Sequence, residues 1–471
     1  MILFLLYNIA KYLEIHPIIN SNIIEIYKLK KCEISKLFFF NTMGKQYEPT
    51  RDKERYEMYI FDISYFSGKL EAYFKYKEIP YKRIEVSWWE LASKIVQKTG
   101  LMEVPVVHDV KNDIWLSDTT PLIEYFENHI DNQSLNCIPI LPSCPIQQFF
   151  SFLIGDFADE GLWRPAIYYR WSKTVDRAHY GWRFTKEFYH NPFLPGFLKR
   201  RLIANRMMQG YVRKDGIRDE NTRNHTEKLY LETLHILEKH FQKHNFILGN
   251  SPTFLDFCLF ASMFRHFSLD PTPAKIMRQE GPSVFEWVAR MWNAKESSFC
   301  EKSLASPPGS IPESWKELLP FVKEYLVYLH ENSNADKSGK KTFTYTVDNV
   351  TYRNVEVVPY RSWRREVLIN RFESLSNNDK LKIESILKEY DCWNDFISDK
   401  YETNYFKDKP SPPFTKGKKE QSSFLMKSLL YITGTPRHQN SLFASPLLVS
   451  LLIILLTFIL GLIYFVYQIL F

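Results

Sequence analysis

Three hydroxyls stand close together where an apolar strand, Met58–Ile63, gives way to an amphipathic run, Lys69–Lys77: Ser64, Tyr65 and Ser67. A hydroxyl donor at a helix start, aided by the positive end of the helix dipole, favours the ionised form of an acid bound beside it. A free thiol has a pKa of about 8.5 and is mostly protonated at neutral pH, although the thiolate is the nucleophile. Lowering that pKa by roughly two units takes about 2.7 kcal/mol, within reach of one charge-assisted hydrogen bond. The trio therefore suits holding a bound acid in its ionised form, a thiol being one such acid, although Ser67 also reads as a plain helix N-cap. A second group, Asp118-Thr119-Thr120-Pro121, opens the helix Leu122–His129. Helix-start N–H groups suit a carboxylate, and the same residues also serve as an ordinary cap with proline in the first turn. Val104-Pro105 enters a strand at the one kind of bond where a cis peptide is cheap, about 0.5–1 kcal/mol against 2.5–4 elsewhere.

The elements that must position these groups follow in a definite order. Ile79-Pro80-Tyr81 breaks the first helix into a strand, Lys82–Val86. The strand Glu103–Val107 runs through a turn at Asp109–Asp113 into a short strand ending at Ser117-Asp118. Cys144–Cys300 reads almost wholly helical, with apolar periodicity at Gln147–Phe157, Thr226–His240 and Thr253–Phe267. Thr253 and Asp256 make a Thr-x-x-Asp capping box, which is a folding device.

This order resembles the cytosolic glutathione transferases. The stretch Met58–Asn128 matches their thioredoxin-like N-terminal domain, and the Thr253–Asp256 motif matches the buried capping motif of their helical domain. The resemblance implies a cis Val104–Pro105 bond that turns the Val104 backbone toward the cysteinyl part of glutathione. It implies that Asp118 and Thr119 hold the γ-glutamyl end. Counted back from Gly68, Ser64 falls on the catalytic serine of the serine-type classes, with Tyr65 and Ser67 as alternatives. Tyrosine-type classes carry their tyrosine where this chain has Ile63. The helix spanning Asp156–Trp171 would face the thiol, and Trp163 and Tyr168 are the expected contacts for a hydrophobic substrate.

The fold expected is an α/β thioredoxin-like domain (55–135), then an all-α glutathione-transferase C-terminal domain (144–300). A small α+β extension (301–400) would follow, with helix Ser314–His330, a hairpin Lys341–Val358 turning at Asp348-Asn349, and two helices in Arg361–Tyr390. This extension resembles one found in some bacterial glutathione-transferase-like proteins. Residues 401–440, rich in Lys, Ser and Pro, read as a flexible tether. Leu447–Phe471 carries no charged residue. A helix of that length spans about 38 Å, enough for one C-terminal transmembrane crossing over 442–471. Lys416, Lys418, Lys419, Lys427 and Arg437 precede it and nothing basic follows. The expectation is a tail anchor with the bulk in the cytosol, leaning to the endoplasmic reticulum over the mitochondrial outer membrane. Residues 1–54 read as an N-terminal extension, with Met43 a candidate start.

The 471 residues, 45% hydrophobic, supply more than one core, and the net charge of +7 is not gathered into a nucleic-acid motif. Six cysteines without a C-x-x-C pair fit a reducing compartment. His235, His240 and His244 do not make a metal set, so no metal is expected. The expected activity is conjugation or exchange of glutathione on a hydrophobic electrophile, in a membrane-anchored and, by the resemblance, dimeric protein. The alternative is a non-catalytic adaptor on an organelle surface. Tail-anchored ganglioside-induced differentiation-associated proteins resemble this architecture and make that alternative concrete.

Overall fold

The computed structural model describes residues 50–87, 90–130, 138–188, 196–299, 309–407 and 410–415. Arg51–Asn128 and the described residues from 138 onward form one compact unit; Thr50, His129 and Ile130 fall outside it. Strand β1 (Tyr56–Ile60) leads to helix α1 (Tyr65–Tyr76), strand β2 (Tyr81–Glu85) and helix α2 (Val96–Thr99, entered through the π-helical turn Leu91–Ile95). Strands β3 (Val106–Asp109) and β4 (Ile114–Ser117) then form a hairpin, and helix α3 (Thr119–His129) follows. The sheet order is β2-β1-β3-β4, with β2 parallel to β1 and the other pairs antiparallel. This is the thioredoxin-like arrangement.

Period-two alternation decides which side chains face which layer. Tyr59, Val106 and Trp115 pack with Leu91 and Ile95 on the α2 side. On the opposite face the rings of Tyr56, Phe74 and Phe126 meet, seating α1 and α3. The strands are displaced by one to three residues from the expected spans; β1 ends at Ile60, before the expected Ile63, because the chain there turns toward the first helix.

The helical region begins with α4 (Pro145–Asp156) and a π-helical turn, Phe157–Gly161, that leads to α5 (Trp163–Ser172). Then come α6 (Thr174–Arg183), α7 (Gly196–Met207), α8 (Glu220–Phe241), α9 (Phe254–Ser262), α10 (Pro271–Glu280) and α11 (Pro282–Asn293). The capping box forms at the start of α9. Asp256 Oδ2 accepts from the Thr253 N–H and hydroxyl, both at 2.8 Å, and Oδ1 accepts from the Ile247 N–H at 2.9 Å.

Beyond it stand α12 (Glu313–Lys337), the hairpin β5 (Thr342–Val347) and β6 (Val350–Glu356), α13 (Pro359–Glu373), α14 (Asn377–Glu389) and α15 (Trp393–Ile397). The hairpin turns at Asp348 and Asn349, both in the left-handed region (φ 46° and 60°), which Asp and Asn tolerate best among residues with a Cβ. Part of the stretch read as a tether is bound: the Thr403 N–H donates to Glu366 at 2.9 Å, and Phe414 bridges Leu116 on the outer edge of β4. Among the described residues no helix is long and apolar enough to cross a membrane. The expected anchor, 442–471, and the N-terminal extension before Thr50 lie outside the described residues.

Candidate functional site

Sheet register brings the three sequence signals to one place. Val106 pairs with Ser117, so the next step of that ladder sets Pro105 opposite Asp118. Tyr59 pairs with Val106, so the chain leaving β1 toward Ser64 runs past Val104–Pro105. The Val104–Pro105 bond is cis. Ser64, Val104, Pro105, Asp118 and Thr119 therefore share the end of the sheet where β1 and β4 stop and β3 begins.

Ser64 is the N-cap of α1, and its Oγ accepts from the Ser67 N–H at 3.3 Å. That corrects the reading of Ser67 as the cap. Ser67 is fully buried, which keeps its hydroxyl from an incoming ligand, and its Oγ accepts from the Phe61 N–H at 3.3 Å. Tyr65 is also excluded from that role: it is buried, and its hydroxyl donates to the Ala158 carbonyl. Burial pushes its phenol well above the ordinary range. Ser64 alone of the three is partly open, and it still has its own hydroxyl proton to give.

What fixes Ser64 is an arginine on α5. Arg170, buried, donates to the Ile63 carbonyl at 2.7 Å and to the Arg265 carbonyl at 2.8 Å. It also grips Asp270 with two bonds, at 2.9 and 2.8 Å. Burial pushes Asp270 up to about 6, so it stays ionised against the guanidinium at neutral pH. The loop carrying Ser64 is thus tied to the helical region through one buried ion pair. Gly68 allows the same approach one turn on, since a Cβ there would sit 2.6 Å from Arg265 Cγ.

Asp118 has φ 67°, a left-handed turn that reverses the chain from β4 into α3. Behind it, Thr119 and Thr120 supply first-turn N–H groups with no acceptor inside the helix. Asp118 Oδ2 accepts from the Tyr360 hydroxyl at 2.9 Å. Burial, chiefly, raises the Asp118 carboxyl above the ordinary range; Arg364, Tyr360 and Lys69 oppose that rise and Asp159 adds to it. Lys69, wholly buried on α1, donates to Thr120 Oγ1 at 2.8 Å and Asp159 Oδ2 at 2.6 Å. Asp159 Oδ1 is buried with no hydrogen-bond partner among the described residues. Arg364 on α13 donates to Asp156 at 2.6 Å, and Arg361 donates to Glu160 at 2.8 Å. The extension therefore forms one wall of the site.

Trp163 reaches the start of α1, half-buried. Its ring stacks on Phe66 at 6.4 Å and meets Tyr65 edge-on at 5.7 Å. Tyr168 does not come there. It is buried on the other side of α5, donating to Glu227 on α8 at 2.7 Å, because five residues on an α-helix turn the side chain away from the Trp163 direction. Lys69, Arg170, Tyr360 and Arg364 were not foreseen. Lys69 had a visible signal, a lone cation among the apolar positions of α1. Tyr360 and Arg364 had none, since only the fold brings α13 beside β4.

A groove of about 1000 Å³ lies elsewhere, between α8, α12 and the hairpin turn. On its rim His225, Glu324 and Asp348 bring ligand-type atoms within 4.8 Å of one another. Lys228 already pairs with Asp348 at 2.8 Å, and His225 Nδ1 is engaged by the Tyr352 hydroxyl at 2.9 Å.

Among known families, one matches part of the helical region. The sequence profile described as "Glutathione S-transferase, C-terminal domain" matches residues 202–294. No curated protein matches the chain. Among solved structures, the β-etherase LigF from Sphingobium sp. strain SYK-6 is similar at 16% identity and TM-score 0.36, covering 50% of this chain and 94% of its own. A tau-class glutathione S-transferase from mango, Mangifera indica, is 13% identical with TM-score 0.35, covering 56% and 96%. A glutathione S-transferase from Methylobacterium radiotolerans, in complex with glutathione sulfonate, is 12% identical with TM-score 0.32, covering 54% and 99%. The glutathione-transferase-like fold rests on the sheet topology, the helical domain behind it and the profile match.

Proposed function

We propose that this chain binds glutathione at the sheet end formed by Ser64, Val104, Pro105, Asp118 and Thr119, and that Ser64 activates its thiol. The observation that carries the reading is the convergence of a cis Val104–Pro105 bond, a left-handed Asp118 before a helix start, and a half-open N-cap serine. In this reading the Val104 backbone pairs with the cysteinyl backbone of glutathione. The N–H groups of Thr119 and Thr120 take the γ-glutamyl carboxylate, and Asp118 takes the ammonium. The Ser64 hydroxyl donates to the sulfur and holds it as thiolate at the N-terminus of α1. An apolar electrophile resting on Phe66 and Trp163 would be attacked there, so that the new C–S bond forms as its leaving group departs.

One observation favours the second reading, a non-catalytic adaptor: Tyr360 already engages Asp118. On either reading the uncharged run Leu447–Phe471 would tether the protein to a membrane, with the endoplasmic reticulum favoured over the mitochondrial outer membrane. A homodimer is part of the same proposal.

Calorimetric titration of the full chain with glutathione tests the reading. Micromolar-to-millimolar binding that is lost in Asp118→Ala supports it. Absence of heat at several millimolar would hand the case to the adaptor.

A further inference from the structure

Nine large apolar side chains are exposed among the described residues, and five of them lie between Val175 and Tyr211. They are Val175 (56% exposed), Trp182 (47%), Phe197 (67%), Leu202 (54%) and Tyr211 (45%). All belong to α6, α7 or the π-helical turn Met208–Val212. Helical spacing sets Val175 and Trp182 on the solvent face of α6, seven residues apart, while Asp176, Tyr180 and Gly181 turn inward. On α7 only Ile203 is buried, so Phe197 and Leu202 have no core to enter. The Arg200 side chain lies against Gly181 and joins the two helices.

The charge on this excursion has one sign. From Gly196 to Lys214 there are six Lys or Arg residues and no Asp or Glu. Arg201, Arg206 and Arg213 are exposed. On α6 the one acid, Asp176, is buried and spent on the Thr272 N–H at 2.8 Å. Lys186 lies 4.8 Å from the Trp182 ring centre, cation beside aromatic at the same surface.

An exposed helix pair with interspersed cations, one tryptophan, one phenylalanine and one leucine has the composition of an interfacial segment. Its apolar side chains enter the headgroup boundary while its cations meet lipid phosphates. We propose that α6, α7 and the turn after them form a docking surface for an anionic bilayer. Charge complementarity argues for that partner, and the apolar side chains select it over a nucleic acid. Phe197 and Leu202 gain nothing from a phosphate backbone, but each gains by leaving water for acyl chains. Basic residues near such a surface act roughly additively, about 1 kcal/mol each, so losing three should weaken docking about a hundredfold and reversing them should weaken it at least that much. This surface is independent of the glutathione reading.

The test is amide hydrogen exchange on the full chain with two kinds of vesicle, pure phosphatidylcholine and phosphatidylcholine with phosphatidylserine. The expected result is slowed exchange in 174–186 and 196–214 only with the anionic vesicles. Protection should require at least about a hundredfold more lipid in an Arg201→Glu, Arg206→Glu, Arg213→Glu variant. Those three side chains are exposed, so the variant keeps its fold, checked by circular dichroism. Equal protection by both vesicles, protection by neither, no loss in the triple variant, or protection by a polyuridine RNA in place of vesicles would each overturn the proposal.

Discussion

The Tyr360 hydroxyl and the Asp118 carboxylate, 242 positions apart, are joined by a 2.9 Å hydrogen bond. It ties the extension to the one carboxylate proposed to meet the γ-glutamyl ammonium. Tyr360 occupies Oδ2 of that carboxylate.

Tyr360→Phe should therefore tighten glutathione binding by about tenfold, since a hydrogen bond to a charged group is worth roughly 1.5 kcal/mol and the ammonium would no longer share the carboxylate. Asp118→Asn should weaken binding in both backgrounds. Calorimetry on the four combinations decides it, and weaker binding by Tyr360→Phe would recast the tyrosine as a positioning residue.

Ser64 has two separable roles. Ser64→Ala removes the α1 cap and should cost about 1 kcal/mol of stability whatever the chemistry. If Ser64 also holds the thiolate, the bound glutathione thiol should titrate at higher pH in the variant. Thiolate ultraviolet absorbance in a pH series reads that shift, and an unchanged midpoint would leave Ser64 a cap alone.

Lys69 is a buried cation between Thr120 and Asp159. Lys69→Met leaves the Asp159 carboxylate stranded and should cost about 3–5 kcal/mol. Lys69→Met with Asp159→Asn should recover a large part of that loss. Urea unfolding of the single and double variants supplies the comparison, and simple additivity would mean the two residues do not act as a pair.

His240 predicts an acid limb. Its Nε2 meets the Phe246 carbonyl at 3.0 Å and its Nδ1 the Ser314 hydroxyl at 2.9 Å. Burial, above all, depresses it to about 4, below the unfolded value near 6.5. Between those values the unfolded chain holds the extra proton. The contribution is therefore complete above pH 6.5 and disappears as pH falls toward 4, about 3 kcal/mol in all. Urea midpoints measured across that range should fall further in the parent than in His240→Gln, and parallel slopes would refute the assignment.

Local signals proved readable. The proline-entered strand, the Thr253–Asp256 box and the Asp348-Asn349 turn each rest on a few consecutive residues whose chemistry dictates one geometry. That Ser64 and Asp118 stand beside helix starts was legible for the same reason, while their roles toward glutathione belong to the proposal. The errors came where neighbours distant in sequence decide. Ser67 looked like a cap until the helix began three residues earlier, and Tyr168, set on the other side of α5 by its spacing from Trp163, found a partner in Glu227 that the sequence does not mark. The wall built by Tyr360, Arg361 and Arg364 depends on α13 docking beside β4 and α4, a long-range contact without any local mark.

Phe414 and its neighbours give the sheet a fifth, short ribbon: the Ser117 N–H donates to the Pro413 carbonyl at 2.8 Å, and the Thr415 N–H to the Trp115 carbonyl at 3.2 Å. An outermost strand with open N–H and C=O groups is a template on which other chains can stack. Here the chain occupies that template itself, and the covering piece includes Pro412 and Pro413, neither of which has an N–H to offer. Strand-by-strand growth from this edge is thus blunted within a single molecule. Cutting the chain after Lys407 would uncover β4 and turn a quiet edge into a nucleus for aggregation.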